Sequence, residues 1–391
     1  MWRNLLRNSL PSMDIVTTTH GYGSRSYRRY WTGPARLLDG RLHATRWKVE
    51  IASSVKRRLE LLPDTPPPGL AAVVIGDRTD SLLYVRRKGE ACEAAGMRFF
   101  HEHLPENVDQ ETVIGVLQKL NENDEVHGVL LQLPVPAHLD EARLLECINP
   151  RKDVDGLHPN NVGRLAMRGV WRPAFMPCAP LGAMELLRRE NISVREKSVA
   201  VIGDSNVVGM PMSWLLRDAG ASAITVLHSQ GVNFLKRYAA TEKNKNGVVN
   251  SLTLEKKRYE LLRSVRRADL IFAAVGSPEI VRKDWVKKGA VVVDIGINAV
   301  PLEDTDGKEE WDDTSRTSEK QNEEKNVSSE RNNLYTLPGQ DVFRVVGDVA
   351  AEELSHVASA MTSVPGGAGP MTIAALLSNT YLGASRRDRT S

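Results

Sequence analysis

The sequence predicts an α/β protein built on two parallel sheets. Short apolar segments alternate with longer helical segments along the 391-residue chain, a pattern typical of parallel strands joined by crossover helices. The pattern occurs once before and once after about residue 180, and a chain of this length suits two domains. Charged and apolar fractions of 26% and 41% are ordinary for a globular protein.

The first α/β unit is predicted from buried strand segments and helical spacing. Proline after residue 62 ends one helix, Gly96 closes a second, and Pro134 ends a strand. The predicted strands are 70–75 and 128–133, and the predicted helices are 47–62, 84–95 and 112–121.

The second unit repeats this alternation. Its predicted strands are 198–202, 223–227, 270–274 and 290–295, and its predicted helices are 210–219 and 372–384. Open parallel sheets bind ligands at the carboxyl ends of their strands, so a ligand-binding site is expected in the loops that follow these strands.

Two polar segments interrupt the pattern. Residues 231–258 are rich in Lys and Asn, and residues 302–340 are strongly polar. Both are interpreted as insertions outside the core, and the second as a disordered surface loop, because such composition buries little apolar surface.

The first 36 residues differ in charge from the rest. They hold six arginines and a single acid, Asp14, and Trp2, Leu5 and Leu6 alternate with arginines at helical spacing. A cationic, amphipathic segment is typical of a mitochondrial presequence. The alternative is an unstructured tail without a targeting role, in which case the protein is cytoplasmic.

Bulk properties exclude several functions. A net charge of +3 is too small for this length to indicate a nucleic-acid partner. No apolar run approaches the roughly 20 residues that span a bilayer, so no membrane partner is expected. Cys92, Cys147 and Cys178 form no C-x-x-C pair, and neither a metal site nor a disulfide framework is predicted.

A glycine-containing turn follows the strand at 198–202. Gly203 permits a tight strand-to-helix turn, Gly209 permits close approach of a ligand, and free N–H groups at a helix start attract phosphate. The spacing is not G-x-G-x-x-G, so an ordinary turn remains the alternative.

Three further features could carry chemistry. Tyr84 and Lys88 share one helical face, and a lysine at the wall of a cleft can transfer protons. Gln132 is an amide at the end of an apolar strand and needs a partner. A solvated helix face and a backbone cap are the alternatives.

Two loops complete the set. Asp153 and Asp155 offer carboxylates that can accept two parallel hydrogen bonds from an amidine-like edge. Residues 364–372 are dense in Gly and Pro directly before a helix, so the backbone there can approach a flat ligand. Each loop could also be a plain turn.

Taken in their order along the chain, these motifs resemble those of a known enzyme family. The motifs run Tyr84-Val-x-x-Lys88, Gln132-Leu-Pro, Lys152-Asp-Val-Asp-Gly-x-His-Pro, Pro177-Cys-x-Pro-x-Gly182, Gly203-x-Ser-x-x-Val-Gly-x-Pro211, Asp294-x-Gly-x-Asn298, Val346-Gly-Asp348 and Pro365-Gly-Gly-x-Gly-Pro-Met-Thr372. From about Leu37 to Ala384 the chain resembles the bifunctional methylenetetrahydrofolate dehydrogenase/cyclohydrolase family.

The resemblance implies a homodimeric enzyme of one-carbon metabolism whose two domains enclose a cleft. By its pattern, residues 37–180 form a folate-binding catalytic domain, 181–350 a Rossmann-type NADP-binding domain, and 351–391 a segment that returns to the first domain. It implies oxidation of 5,10-methylenetetrahydrofolate and hydrolysis of the methenyl product to 10-formyltetrahydrofolate, without a metal.

Residue roles follow from the same resemblance. Lys88 matches the catalytic lysine and Gln132 the residue that tunes it, while Tyr84 matches the ring that stacks on folate and Asp155 the carboxylate that grips the pterin. The remaining substrate positions are Ser81, Pro365, Gly366 and Gly367. The cofactor positions are Gly203, Asp204, Ser205, Val208, Gly209, His228, Ser229, Gly276 and Ile297.

Three departures from the family pattern bear on the cofactor preference. Asp204 stands where the family usually has an Arg that pairs with the 2′-phosphate of NADP, and Gln230 and Ala179 also differ from the pattern. An Asp there repels a phosphate and can accept a hydrogen bond from a ribose hydroxyl, so NAD is a possible cofactor. A cyclohydrolase-only enzyme, a non-catalytic folate-binding paralogue and a different oxidoreductase, such as an amino-acid dehydrogenase, remain alternatives.

Overall fold

The computed structural model describes residues 34–167, 171–243, 251–301, 334–335 and 343–388. The first half of the chain forms, in order, β1 (Arg36–Leu38), α1 (Gly40–Leu61), β2 (Gly69–Ile75), α2 (Thr79–Ala94), β3 (Arg98–Leu104), α3 (Gln110–Glu122), β4 (Gly128–Leu131), α4 (Glu141–Cys147), α5 (Pro159–Ala166) and α6 (Cys178–Arg189). No helix among the described residues is long and apolar enough to cross a membrane.

The first sheet is parallel, in the order β3-β2-β4. All of β2 is buried, because alternate side chains enter two different cores. Leu70, Ala72 and Val74 join the cluster that includes α1 and the carboxy-terminal helix, whereas Ala71 and Val73 pack against α3 and α4. Burial of each large aliphatic side chain contributes about 1.5–3 kcal/mol, so this strand anchors the first half.

The second half continues with β5 (Ser198–Ile202), α7 (Gly209–Asp218), β6 (Ala223–Leu227), α8 (Ser229–Lys243), α9 (Ser251–Val265), β7 (Leu270–Ala273), β8 (Val291–Asp294), β9 (Asn298–Pro301), β10 (Leu334–Tyr335), β11 (Phe343–Val346), α10 (Ala351–Ser355), β12 (Ala360–Thr362) and α11 (Ala368–Arg387). Its main sheet is parallel, in the order β1-β12-β8-β7-β5-β6. Strands β10, β11 and β9 form a separate antiparallel sheet.

The first and last elements cross between the halves. Strand β1 precedes the first sheet in sequence but pairs with β12 at the edge of the second sheet. Helix α11 follows the second sheet but packs chiefly on α6 and α1. Its end is fixed to α1, because Arg58 Nε and Nη2 donate to the Asp388 carboxylate at 2.8 and 2.7 Å.

The predicted strands of the second sheet are confirmed to within about one residue at each end. The antiparallel strands β9 and β11 were not predicted, and neither were the parallel strands β1, β3 and β12. Strands β1 and β12 are three residues long, and β3 is a sheet edge with exposed Arg98, His101 and His103, so none of these three carries a continuous apolar run. Helix α2 begins at Thr79 rather than near Tyr84, because its first turn has no side-chain cap to mark it.

Three predicted boundaries differ from the structure. The segment 231–258 does not lie wholly outside the core, because Val232 and Leu235 on α8 are buried in it. The expected presequence ends too late, since Ala35 is buried and Arg36 begins β1. Of residues 302–340, the structure describes the strand β10, which was expected to be loop, and the rest lies outside the described residues.

Candidate active site

A lysine–glutamine pair lies where α2 crosses the end of β4. Lys88 Nζ donates to Gln132 Oε1 at 2.9 Å. The glutamine is fixed by its own bonds: its backbone N–H donates to Val73 O at 2.8 Å, and its Nε2 donates to Leu133 O at 2.8 Å. Because Nε2 is used on a carbonyl, the amide oxygen is the atom left to hold the lysine.

Tyr84 and Ser81 share the helix that carries Lys88. Tyr84 lies one turn before Lys88, and Ser81 lies in the first turn of α2 with 4% exposure. The Ser81 backbone N–H donates to Asp80 Oδ1 at 2.9 Å. The helix therefore brings three of the predicted site residues to one side of the first sheet.

The two loop carboxylates have different environments. Asp153 is buried and accepts from Leu157 N at 3.1 Å, His158 N at 2.9 Å and Asn161 Nδ2 at 2.8 Å. Burial raises its pKa to about 6, and its bonds hold the turn that leads into α5. Asp153 is therefore a structural residue, whereas Asp155 is half-buried and stays the predicted pterin-binding carboxylate.

Two residues without a predicted role hold the Asp155 loop in place. Cys178 N donates to Asp155 O at 3.3 Å, and burial, followed by the nearby Asp155 carboxylate, raises the pKa of the Cys178 thiol. Asn379 Nδ2 donates to Val154 O at 2.8 Å and Met176 O at 3.0 Å. A buried Asn in the apolar helix α11 was the sequence signal for this contact.

The loop before α11 contacts the start of α1. The peptide bond between Val364 and Pro365 is cis, Gly366 O accepts from Arg41 N at 2.9 Å, and Gly367 N donates to Ser363 O at 2.9 Å. None of the hydrogen bonds given for the described residues joins this loop to Lys88 or Asp155, so the substrate role of Pro365, Gly366 and Gly367 stays a prediction.

The predicted nucleotide turn joins β5 to α7. Gly203 has φ +107°, a left-handed conformation that side chains rarely adopt. Ser205 Oγ accepts from Val208 N at 3.2 Å and Gly209 N at 3.4 Å. The turn is thus closed by its own residues at the carboxyl edge of the second sheet.

Asp204 links this turn to the end of the neighbouring strand β6. Its Oδ1 accepts from Ser229 N at 3.0 Å, so Asp204 lies beside the His228-Ser229 pair. In Rossmann-type sheets the tip of the second strand is where an acidic residue contacts the adenosine ribose. The structure therefore brings the predicted cofactor residues of β5 and β6 together.

Gly276 and Ile297 lie on two other loops of the same sheet edge. Gly276 follows β7 with φ +66°, and Ile297 precedes β9 and is 44% exposed. Two buried carboxylates stand behind these loops: Asp348 accepts from Gly276 N at 3.1 Å and from Asn298 Nδ2 at 2.9 Å, and Asp294 accepts from Gly296 N at 2.9 Å. Their motifs were noted in the sequence, but no role was predicted for them.

Comparison with known proteins identifies the family. The tetrahydrofolate dehydrogenase/cyclohydrolase catalytic domain matches residues 38–155, and the NAD(P)-binding domain of the same family matches 177–243, 236–322 and 332–388. The chain belongs to the tetrahydrofolate dehydrogenase/cyclohydrolase family. In this family match, Lys88, Gln132 and Asp155 fall in the catalytic domain, and the Gly203 turn falls in the NAD(P)-binding domain.

Relatives of this family align over nearly the whole chain. A chloroplastic bifunctional FolD protein of Arabidopsis thaliana is 38% identical over 98% of this chain and 91% of its own length. A mitochondrial FolD protein of the same plant is 38% identical over 90% of this chain and 81% of its own. The FolD dehydrogenase-cyclohydrolase of Trypanosoma brucei, solved with NADP and an inhibitor, is 31% identical with a TM-score of 0.71, covering 91% of this chain and 99% of that one.

Proposed function

We propose that this chain oxidises 5,10-methylenetetrahydrofolate with NAD(P) and hydrolyses the methenyl product to 10-formyltetrahydrofolate. The observation that carries the proposal is the 2.9 Å bond between Lys88 and Gln132, in a chain whose second sheet has a nucleotide turn at its carboxyl edge. The first half supplies the groups for folate, and the second half supplies the groups for the cofactor.

The residues of the second half suit a dinucleotide. The Gly203 turn precedes the amino end of α7, where backbone N–H groups favour phosphate, and Gly276 has open space within 4 Å of where a Cβ would stand. The residues that would hold the cofactor are Gly203, Asp204, Ser205, Val208, Gly209, His228, Ser229, Gly276 and Ile297. When bound, NAD(P) supplies the hydride acceptor for the substrate's methylene carbon.

Asp155 and Tyr84 would orient the folate. A half-buried carboxylate accepts two parallel hydrogen bonds from the ring N–H and the amino group of the pterin. An aromatic ring one helical turn from Lys88 provides a flat apolar surface for the pterin. These contacts would bring N5, N10 and the carbon between them to the lysine nitrogen.

Lys88 would carry protons during hydrolysis of the methenyl cation. Water adds to the carbon between N5 and N10 and loses a proton, the bond from that carbon to N5 breaks, and N5 gains a proton. A lysine nitrogen held by Gln132 can accept the first proton and return one to N5. The oxygen stays on the carbon as the formyl group on N10, so the step needs no metal and no further reactant.

The test is turnover of both folates by the purified chain. Methenyltetrahydrofolate should lose its characteristic absorbance faster than in buffer, and methylenetetrahydrofolate should reduce NADP or NAD. Methenyl hydrolysis without any cofactor reduction would support the cyclohydrolase-only alternative. Folate binding without turnover of either substrate would contradict the proposal and leave a non-catalytic binding protein.

Asp204 supports a shift in preference from NADP toward NAD. Its carboxylate lies at the tip of β6, and a carboxylate near a 2′-phosphate is unfavourable. Lys236 and Arg237 lie seven and eight positions after Ser229 on α8, so a rise of about 10 Å along the helix separates them from Ser229. We therefore infer weaker NADP binding here than in relatives that carry Arg at this position.

Location and assembly are proposed on separate grounds. Residues 1–34, which precede the buried Ala35, carry the Arg-rich, acid-poor composition of a mitochondrial presequence, so a reporter fused to them should enter mitochondria. A chloroplastic or cytosolic reporter would contradict this proposal. A homodimer is proposed from family membership, and light scattering at several concentrations should give twice the 43.3 kDa chain mass.

A further inference from the structure

Two buried aspartates stand behind the candidate cofactor loops. Asp294 ends β8, Asp348 follows β11, and they are 3% and 0% exposed. Neither belongs to the lysine–glutamine site, and neither was given a role by the motif pattern. A buried carboxylate is costly unless every lone pair has a donor, so the donors around this pair show what it holds.

Asp348 accepts four hydrogen bonds from two loops. Its Oδ2 accepts from Val275 N at 2.5 Å and Gly276 N at 3.1 Å, and its Oδ1 accepts from Ser277 N at 2.9 Å and Asn298 Nδ2 at 2.9 Å. Three of these donors are consecutive N–H groups of the loop after β7. The fourth lies at the start of β9, directly after Ile297.

Asp294 holds Asp348 in turn. Its Oδ1 accepts from Asp348 N at 3.1 Å and Gly296 N at 2.9 Å, and its Oδ2 accepts from Val349 N at 2.9 Å. Burial, and then the adjacent Asp348 charge, raise the pKa of Asp294 to about 8. The two carboxylates therefore form two layers, of which the outer one, Asp348, contacts the cofactor loops.

Close approach of the backbone makes this arrangement possible. A Cβ at Gly296 would overlap the Asp348 carboxylate, and a Cβ at Gly347 would overlap the Asp294 carboxylate. Glycine at both positions lets each loop approach the buried carboxylate oxygens closely. The two loops and the two carboxylates therefore form one connected hydrogen-bond network.

We propose that Asp348 is a positioning residue for the dehydrogenase reaction, because its carboxylate fixes the 275–277 and 296–298 loops against the NAD(P) cofactor. The proposal rests on the proposed function. It separates the two activities: dehydrogenation needs both loops in place around the nicotinamide cofactor, whereas methenyl hydrolysis uses Lys88 and Gln132 in the first half.

The test is Asp348→Asn, measured in both assays with the full chain. An Asn side chain turns an NH₂ group toward two of the four donors, so the loops lose their fixed position. The KM for NAD(P) should rise at least tenfold, whereas kcat/KM for methenyl hydrolysis should stay within twofold of the unsubstituted chain.

Asp269→Asn is the matched control. Asp269 directly precedes β7 and accepts from Ser198 N at 3.0 Å, so it lies at the opposite edge of the second sheet from the cofactor loops. Its variant should leave the KM for NAD(P) unchanged, even if it lowers thermal stability. A rise in KM with Asp269→Asn equal to that with Asp348→Asn would show a general effect of the sheet and overturn the proposal.

Asn298→Ala keeps the proposal testable if Asp348→Asn does not fold. It removes one of the four bonds from a half-buried position, and it should raise the KM for NAD(P) about threefold without changing methenyl hydrolysis. Unchanged KM in a folded variant, or a parallel loss of both activities, would overturn the positioning role. If the unsubstituted chain reduces neither NADP nor NAD, the proposed dehydrogenase function is wrong. If it does reduce them and these variants leave the KM unchanged, only the positioning role of Asp348 is wrong.

Discussion

The folate half and the cofactor half of this molecule build their sites in different ways. In the first half, side chains from separate elements meet: Lys88 from α2 contacts Gln132 from the end of β4. In the second half, the site is mostly backbone, closed by the Gly203 turn and fixed from behind by Asp348. Substitution of a single side chain should therefore change the rate of the reaction in the first half, and the choice between NADP and NAD in the second half.

The strongest test of this contrast is Lys88→Ala. Loss of the proton carrier should lower methenyl hydrolysis at least about 100-fold, while methenyltetrahydrofolate still binds through Asp155 and Tyr84. Hydrolysis and fluorescence titration of folate binding measure the two effects. The control is Lys56→Ala, whose side chain is 80% exposed and which should leave both unchanged. Near-normal hydrolysis by the Lys88 variant would remove the lysine from the mechanism.

Asp204→Arg should change preference without loss of the fold. Replacing a repulsive carboxylate with a cation should raise the ratio of kcat/KM for NADP over NAD at least tenfold, or about 1.4 kcal/mol. Asp204→Asn should give a smaller change in the same direction, since it keeps the acceptor for Ser229 N. The exposed Asp64→Arg serves as a charge-matched control. An unchanged ratio would mean that Asp204 is remote from the 2′ position.

A third prediction concerns pH and the opposite end of the first sheet. His127 lies just before β4, is 4% exposed, and its Nδ1 accepts from Gly69 N at 3.0 Å. Burial, with the neighbouring cations Arg58, Arg387 and Lys152, lowers its pKa from 6.5 to about 4. Between these values the unfolded chain binds a proton that the folded chain does not, so stability falls as pH falls, by about 3 kcal/mol at most.

Denaturant unfolding between pH 7 and pH 4 measures how steeply the free energy of unfolding depends on pH. His127→Asn keeps an acceptor for Gly69 N but cannot titrate, so its stability should depend less on pH than that of the unsubstituted chain. Equal slopes for the two proteins would mean that His127 is protonated in the folded state. Activity at pH 7 should be unchanged, because this end of the sheet is remote from Gln132.

The smallest effect is expected from removal of residues 304–331. Their polar composition predicts a segment outside the core. Pro301 and Tyr335 both pair with Phe343, so they are two strand spacings, or about 10 Å, apart. A four-residue Gly/Ser bridge should therefore leave both activities within twofold. Loss of cofactor reduction would show that this segment supports the second half.

The local apolar pattern predicted β2 and β4 to β8 but not the six other described strands, and it did not predict long-range geometry. Strand 198–202 is bounded by polar residues, so its limits were clear. The Lys88–Gln132 contact joins residues 44 positions apart, and spacing alone does not give such a distance; the family resemblance supplied it. The difference between Asp153 and Asp155 depends on burial. The role proposed for Asp348 depends on donors that lie 50 to 73 residues earlier in the chain, which no local motif identifies.

The exchange of terminal elements limits how this protein can be divided or recombined. Strand β1 stands before the folate half in sequence and completes the cofactor sheet, while α11 stands after the cofactor half and covers the folate sheet. A cut near residue 180 therefore leaves β1 on the fragment that holds the folate sheet and α11 on the fragment that holds the cofactor sheet. Each fragment then carries an element that packs in the other half and lacks an element that completes its own sheet or core. A chimera between two relatives preserves native packing only if β1 is inherited with the cofactor half and α11 with the folate half.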